Sequence, residues 1–308
     1  MRMLIVGAGS TGGYFGGRLA QAGRDVTFLV RPARAAQLEQ QGLQILSPHG
    51  NYTLRPNLVT ADQLSGSYDS VLLTVKAFSL ESALSDMAAA VGPETMILPV
   101  LNGMRHVDIL ASRFGKSSVV GCACKISASI DDRGRIEQHN PIQEIAYGEM
   151  DGTASARIQR LDQFMRDAGF DARLSSVIER EMWEKWILLA GLGGINCLMR
   201  GAIGEVLQAP GGSEFVARLL QEIVSVVEAV GVGPSPEFMV WTKTVLTAPG
   251  STLTSSMYRD LMRGAPIEAD QIIGDLVERA RAAGIETPLL GVVYTHLCVY
   301  QRQYISKS

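Results

Sequence analysis

Up to about residue 175 the chain alternates short apolar runs, rich in β-branched residues, with segments of helical period. The runs are MLIV at 3–6, DVTFLV at 25–30, SVLLTV at 70–75, TMILPV at 95–100 and SSVVGC at 117–122. Apolar runs without strict polar alternation suit strands covered on both faces, and the helices between them suit the crossovers that parallel strands need. The pattern predicts a doubly wound α/β sheet. Residues 123–150 read differently, as shorter alternating strands around the turn cluster Asp131-Asp132-Arg133-Gly134, so an antiparallel hairpin is expected and the sheet should turn mixed there. From Ile178 the β-runs nearly vanish. Helical periods take over at 179–207, 213–230, 236–247, 253–263, 269–283 and 289–302, with Gly211-Gly212, Gly231 to Pro236, Pro249-Gly250 and Gly284 between them as caps and turns. This shift predicts two domains, 1–177 and 178–308.

Composition narrows the chemistry. A length of 308 residues suits two domains, and 46% apolar residues with only 19% charged exclude a disordered or fibrous chain. Lys and Arg number 28 against 31 Asp and Glu, a net charge of -3, so no overall basic field exists to attract nucleic acid or an anionic membrane. Small-molecule chemistry is the default. Cys122, Cys124, Cys197 and Cys298 are spaced neither as a disulfide framework nor as a zinc site, and are expected to be reduced core thiols with no metal. The opening MRMLIVGAGS breaks into glycines too soon for a signal peptide, so the mature protein is expected to begin at Met1. The apolar stretch from Trp186 to Met199 is shorter than the roughly 20 residues of a membrane helix and is interrupted by Asn196 and glycines. A soluble, cytoplasmic protein is expected.

The strongest local signal is Gly7-Ala8-Gly9-Ser10-Thr11-Gly12, which follows the first strand and opens a helix. In that context Gly7 permits the tight turn, Gly9 lets backbone approach a pyrophosphate and Gly12 lets helix and strand pack closely, while the N–H groups of Ser10, Thr11 and the rest of the first turn face the phosphates. The alternative is a glycine-rich turn with no ligand. Arg31 ends the second strand and Arg34 lies one turn on, where an acid would select NAD and an arginine NADP, so NADPH is the expected cofactor. Both arginines also suit a solvated helix start. Lys76 and Asn102 directly follow strands, where open α/β sheets bind ligands, although either suits a plain loop.

In the helical half, Lys185 heads a stripe that continues with Leu188, Leu189 and Leu192, so its ammonium should be partly desolvated and a readier proton donor. Glu181 at i−4 offers the competing reading of an exposed ion pair. Ser256 and Glu268 each open a helical segment, where capping alone would explain them.

Taken together, GAGSTGGYFGGRLA, the VKAF with Lys76, the NGM with Asn102, the WEKW with Lys185, the SSMYRDL with Ser256 and the closing IEADQIIGDLVERARAAGIETP resemble the ketopantoate reductase (2-dehydropantoate 2-reductase) family over nearly the whole chain. The resemblance implies an NADP-binding Rossmann-like domain followed by an all-helical substrate and dimerisation domain, with the substrate cleft between them. It implies Lys185 as general acid, Glu268 beside the reacting carbonyl, Ser256 and Asn102 as substrate ligands, and reduction of 2-dehydropantoate to pantoate in pantothenate synthesis.

One departure stands out. The family usually carries an Asn four residues after the lysine and a second four further on, both facing substrate, where this chain has Leu189 and Gly193. Asn196 has the right angle but lies eleven residues on, roughly 16 Å along the axis. Three readings follow: a ketopantoate reductase, a paralogue that reduces a more apolar branched 2-oxo acid, and an NADPH-binding sensor without turnover, the last opposed by the presence of both Lys185 and Glu268. The largely uncharged stretch from Leu289 to Tyr300 adds the expectation of a homodimer.

Overall fold

The structure is a computed structural model that describes residues 1–306. It divides into two compact units, one of Met1–Leu101 and His106–Glu179, the other of Asn102–Arg105 and the chain from Arg180 onward. In chain order the elements of the first are β1 (Arg2–Val6), α1 (Ser10–Gln21), β2 (Asp25–Leu29), α2 (Pro32–Gln41), β3 (Leu43–Leu46), β4 (Tyr52–Leu54), β5 (Asn57–Val59), β6 (Ser70–Leu73), α3 (Leu80–Asp86), β7 (Met96–Pro99), α4 (Arg105–Phe114, entered from the other unit), β8 (Val120–Ile130), β9 (Ile136–Glu149), α5 (Ala156–Met165) and β10 (Asp171–Leu174).

Five strands form an all-parallel sheet in the order β5-β2-β1-β6-β7. Met3, Leu4, Ile5, Val71, Leu72 and Leu73 are fully buried, as strands covered on both faces require. The 123–150 hairpin is present, turning through Asp131 to Arg135, but it does not extend this sheet. Instead β8 and β9 pair antiparallel within a second, mixed sheet ordered β10-β9-β3-β4. The 117–122 run begins as the 3-10 turn Lys116–Ser118, and a single isolated bridge from Ile97 to Val119 joins it to the parallel sheet among the described residues.

Helix α1 runs between the sheets, and its glycines set how closely. A Cβ on Gly16 would stand 2.7 Å from the Phe28 ring and 2.8 Å from Ile5 in the parallel sheet, whereas one on Gly17 would stand 2.8 Å from Ile45 in the mixed sheet and one on Gly13 would overlap Ile136. Tyr14 and Phe15, between these glycines, are fully buried, and the Tyr14 hydroxyl donates to Gln143 Oε1 at 2.5 Å.

The second unit is helical: α6 (Ile178–Met199, whose first two residues belong to the first unit), α7 (Ile203–Gln208), α8 (Gly212–Val230), α9 (Pro236–Leu246), α10 (Ser256–Met262), a π-helical turn at Asp270–Gly274 that runs into α11 (Asp275–Ala282), and α12 (Pro288–Ile305). The continuous helix expected over 179–207 is two helices, because Arg200 adopts φ +57° and Gly201 follows it. Helix α8 packs against α7, α11 and α12. Leu290, Val293 and Leu297 place one face of α12 in the core, while Val292 and Val299 point outward. No helix among the described residues is long and apolar enough to cross a membrane. All four cysteines are free, and all but Cys298 are buried.

Fully buried Asn196 holds the corner where α6 ends. Its amide donates to Gly201 O at 2.9 Å and Leu253 O at 3.4 Å, and its Oδ1 accepts from Ser255 N at 2.9 Å. This pins the irregular segment before α10, and truncation would leave these groups without their partner. Asn196→Ala should lower stability by about 3 kcal/mol, measured by urea unfolding; a loss below about 1 kcal/mol, the net value of an ordinary hydrogen bond, would mean that the segment is held by something else.

Candidate functional site

The glycine loop joins β1 to α1 in the first unit. Gly7 has φ +96°, a conformation other residues adopt only under strain, and its N–H donates to Leu29 O at 3.1 Å. The Thr74 hydroxyl, just beyond β6, is within hydrogen-bond reach of both Val6 O and Gly7 O at 2.9 Å. A Cβ on Gly12 would overlap Thr74 Oγ1 and Gly7 O, so the helix can approach the loop this closely only with glycine there. Gly9 has nothing within 4 Å of where its Cβ would be, and as N-cap of α1 it brings no capping side chain to the first turn. Ser10 and Thr11, the first residues of α1, are partly buried. A helix start with no side-chain cap, approached over an open glycine, suits a phosphate anion.

The two arginines after β2 have different surroundings. Arg34 is partly buried: Nε and Nη2 donate to Ala8 O at 3.3 and 3.2 Å, and Nη1 donates to Gly134 O at 3.1 Å and Gln37 Oε1 at 2.6 Å. Burial lowers its pKa from the ordinary guanidinium value. It therefore clamps the glycine loop to the hairpin turn, and the phosphate role that its spacing allowed is not supported by its geometry. Arg31 is exposed at the N-cap of α2, and among the described residues its guanidinium makes only a 3.3 Å contact, from Nη2 to Ser82 Oγ. Lys76 is exposed at the head of the 3-10 turn Ala77–Ser79 that follows β6.

The remaining sequence-predicted residues lie in the second unit. Asn102 Nδ2 donates to Glu268 Oε2 at 3.2 Å, joining positions 166 residues apart, and both side chains are partly buried. Gly103, with φ +80°, leaves no room for a side chain, because a Cβ there would overlap Gln271 O and stand 3.7 Å from Trp186 Nε1. The Trp186 indole donates to Ile272 O at 2.9 Å. Trp186 is next to Lys185, so the Asn102 loop, the turn after Glu268 and this part of α6 meet at one junction. Lys185 is partly buried and makes no ion pair among the described residues, so the pair with Glu181 is not formed.

Eight residues beyond Lys185, Gly193 packs beneath the first turn of α10. A Cβ there would stand 2.8 Å from Met257 Cε and 3.9 Å from Ser255 Oγ, so Met257, itself buried, fills the space beside Gly193. Ser255 is the cap of α10, accepting from Tyr258 N at 3.0 Å, which leaves Ser256 exposed with no part in capping. Leu189, partly buried, lies one turn from Lys185 on the same face.

Sequence reasoning missed Trp186, Gly103, Met257 and the π-helical turn. That turn is held by Tyr294, whose hydroxyl donates to Asp270 Oδ1 at 2.7 Å and whose ring lies 2.8 Å from where a Cβ on Gly274 would be. Burial, then the Asp270 carboxylate, push the Tyr294 phenol above its usual range.

Two family models cover most of the chain: "Ketopantoate reductase PanE/ApbA" matches residues 3–152, and "Ketopantoate reductase PanE/ApbA C terminal" matches residues 177–301. An uncharacterized oxidoreductase of Bacillus subtilis (strain 168), YkpB, is 34% identical over 98% of this chain and 100% of its own. A 2-dehydropantoate 2-reductase of Halobacterium salinarum is 28% identical over 94% of this chain and 95% of its own. The crystal structure of a PanE/ApbA family ketopantoate reductase from Ralstonia eutropha JMP134 superposes with a TM-score of 0.88 at 23% identity, covering 99% of each chain.

Proposed function

Because the chain belongs to the ketopantoate reductase family, we propose that it reduces a 2-oxo acid to the 2-hydroxy acid with NADPH, acting as a 2-dehydropantoate 2-reductase. The observation that carries this reading is the 3.2 Å contact of Asn102 with Glu268, made at the same junction as the α6 turn that bears the unpaired Lys185. A partly buried ammonium at that junction can serve as proton donor to a keto oxygen.

A bound nicotinamide dinucleotide would supply the hydride; the loop from Gly7 to Gly12 at the start of α1 would hold its phosphates, with Lys76 and Asn102 as further ligands. The Ser256 hydroxyl and the Asn102 amide donate hydrogen bonds to the substrate carboxylate. Lys185 transfers a proton from Nζ to the oxygen as the carbonyl carbon gains its new C–H bond, which gives the alcohol and a neutral amine that solvent reprotonates. Glu268, oriented by Asn102, accepts from the ammonium or from the nascent hydroxyl. Lys185→Ala should lose turnover by a factor of about 100 or more with cofactor affinity little changed, read as the rate of NADPH oxidation with a panel of 2-oxo acids. A full rate in this variant sinks the assignment, and an unaltered protein that binds NADPH yet turns over no acid is the sensor.

Preference for NADPH rests on Arg31 alone, since Arg34 is engaged with backbone carbonyls. Arg31→Asp should weaken NADPH binding more than NADH binding, by titration of each cofactor; equal affinity for the two in the unaltered protein contradicts this reading.

A second reading of the substrate is favoured by the Leu189 side of α6. 2-Dehydropantoate has a terminal hydroxyl, and leaving such a group buried without a partner costs about 1–3 kcal/mol. Leu189 offers no partner, and at Gly193 the space is taken by Met257. A branched 2-oxo acid without the hydroxyl fits this wall better. Leu189→Asn should shift the ratio of kcat/KM for 2-dehydropantoate over trimethylpyruvate toward the former by about tenfold. If the unaltered enzyme already favours 2-dehydropantoate strongly, another residue holds its hydroxyl.

A further inference from the structure

A π-helical turn inserts one residue into a helix and interrupts the regular i→i+4 ladder, so it persists only where other groups hold its shape. The turn at Asp270–Gly274 is held on two sides. Tyr294 bonds the Asp270 carboxylate at 2.7 Å, and Gln301 Nε2 donates to the same group at 3.3 Å, both from α12. On the opposite side Trp186, 1% exposed, donates its indole N–H to Ile272 O at 2.9 Å. Ile272 is in turn bonded to the candidate carboxylate residue, its N–H donating to Glu268 O at 3.0 Å. The Trp186 side chain is fixed in its own right: Trp183 stacks at 5.4 Å between centroids, and the Arg279 guanidinium lies 5.7 Å from both rings while paired with Asp275 at 3.2 Å.

We propose that Trp186 is a positioning residue: its indole N–H, through the Ile272 carbonyl, fixes the backbone of Glu268 relative to Lys185. This rests on the roles given to Lys185 and Glu268 above. The two residues stand on different elements, and the indole bond is a direct link from the turn of α6 that carries Lys185 to the turn that Glu268 opens. Gly103 serves the same geometry from a third side, since its bare Cα lets the Asn102 loop sit on Gln271 O. The lysine, the carboxylate and the amide that bonds the carboxylate thus share one rigid junction whose central donor is Trp186.

Trp186→Phe keeps an aromatic side chain but removes the donor together with the second ring of the indole, so loss of packing accompanies loss of the bond. With 2-dehydropantoate and trimethylpyruvate as probes, kcat should fall by about 10- to 100-fold, the scale of a displacement near 1 Å at a reacting group. KM and the affinity for NADPH should change little, and the pH profile of kcat should shift because Glu268 no longer holds its place. Amide hydrogen exchange over residues 268–274 should quicken in the same variant while that of α8 does not change. Gly103→Ala, which presses on Gln271 O of the same turn and leaves the indole in place, should reproduce both effects and carries the test if Trp186→Phe does not fold. Unchanged kcat, or unchanged exchange over 268–274, overturns the proposal, as does a variant that loses thermal stability but keeps rate and pH profile. Lys185→Ala run alongside separates the two readings. If that variant keeps its rate, the functional assignment fails and this proposal with it; if it is inactive while Trp186→Phe is normal, only the positioning role is lost.

Discussion

How closely α1 can approach the two sheets of the first unit governs the rest of that unit. A helix between two sheets normally keeps its neighbours at a distance set by side chains, yet here Gly12 and Gly16 face the parallel sheet while Gly13 and Gly17 face the mixed one. Each contact would fail with a single added carbon. Glycine lowers intrinsic helix stability by roughly 1 kcal/mol per residue relative to alanine, and burial of Tyr14, Phe15 and Leu19 on the same helix offsets that. Because the helix lies so low, its first turn emerges next to Thr74 and the end of β1. The geometry of the proposed phosphate site is thus a consequence of core packing rather than a separate feature added to it.

The second unit solves a different problem, the assembly of polar groups from distant positions on helices that are otherwise apolar. Asn102 and Glu268 are brought together by backbone devices: a glycine at φ +80°, a widened helical turn, and an indole bond to a carbonyl inside that turn.

Much of this was legible in the sequence, for identifiable reasons. The parallel strands were readable because strands buried on both faces must be apolar throughout, and the glycine loop because each glycine has a steric reason. The short strands Leu43–Leu46, Tyr52–Leu54 and Asn57–Val59 were not, since they are half exposed and their pairing is set by partners far along the chain. The break at Arg200 was hidden because a non-glycine residue takes the left-handed conformation, although Gly201 beside it was a signal. Within the candidate site, Lys185 was visible as a charge heading an apolar stripe and Asn102 by its place directly after a strand, whereas Ser256 and Glu268 looked like helix-start residues and stood out only through the family resemblance. Trp186 was read only as part of a motif, because an indole in a helix looks like core and its donor function appears only when Ile272 O is placed against it. Asn196, too far along the helix axis to stand in for the missing Asn, is a structural corner.

The clamp formed by Arg34 bears on how such a protein can diverge. Its guanidinium ties Ala8 of the glycine loop to Gly134 of the hairpin, so a substitution there would disturb the loop, whichever dinucleotide is bound. Arg31, three residues earlier, touches only the Ser82 hydroxyl at the surface and carries no such duty. On the role proposed for Arg31, discrimination and loop integrity fall to different side chains. A lineage carrying this architecture would then be able to drift between dinucleotides at one exposed position, with the scaffold beneath under separate and stricter selection.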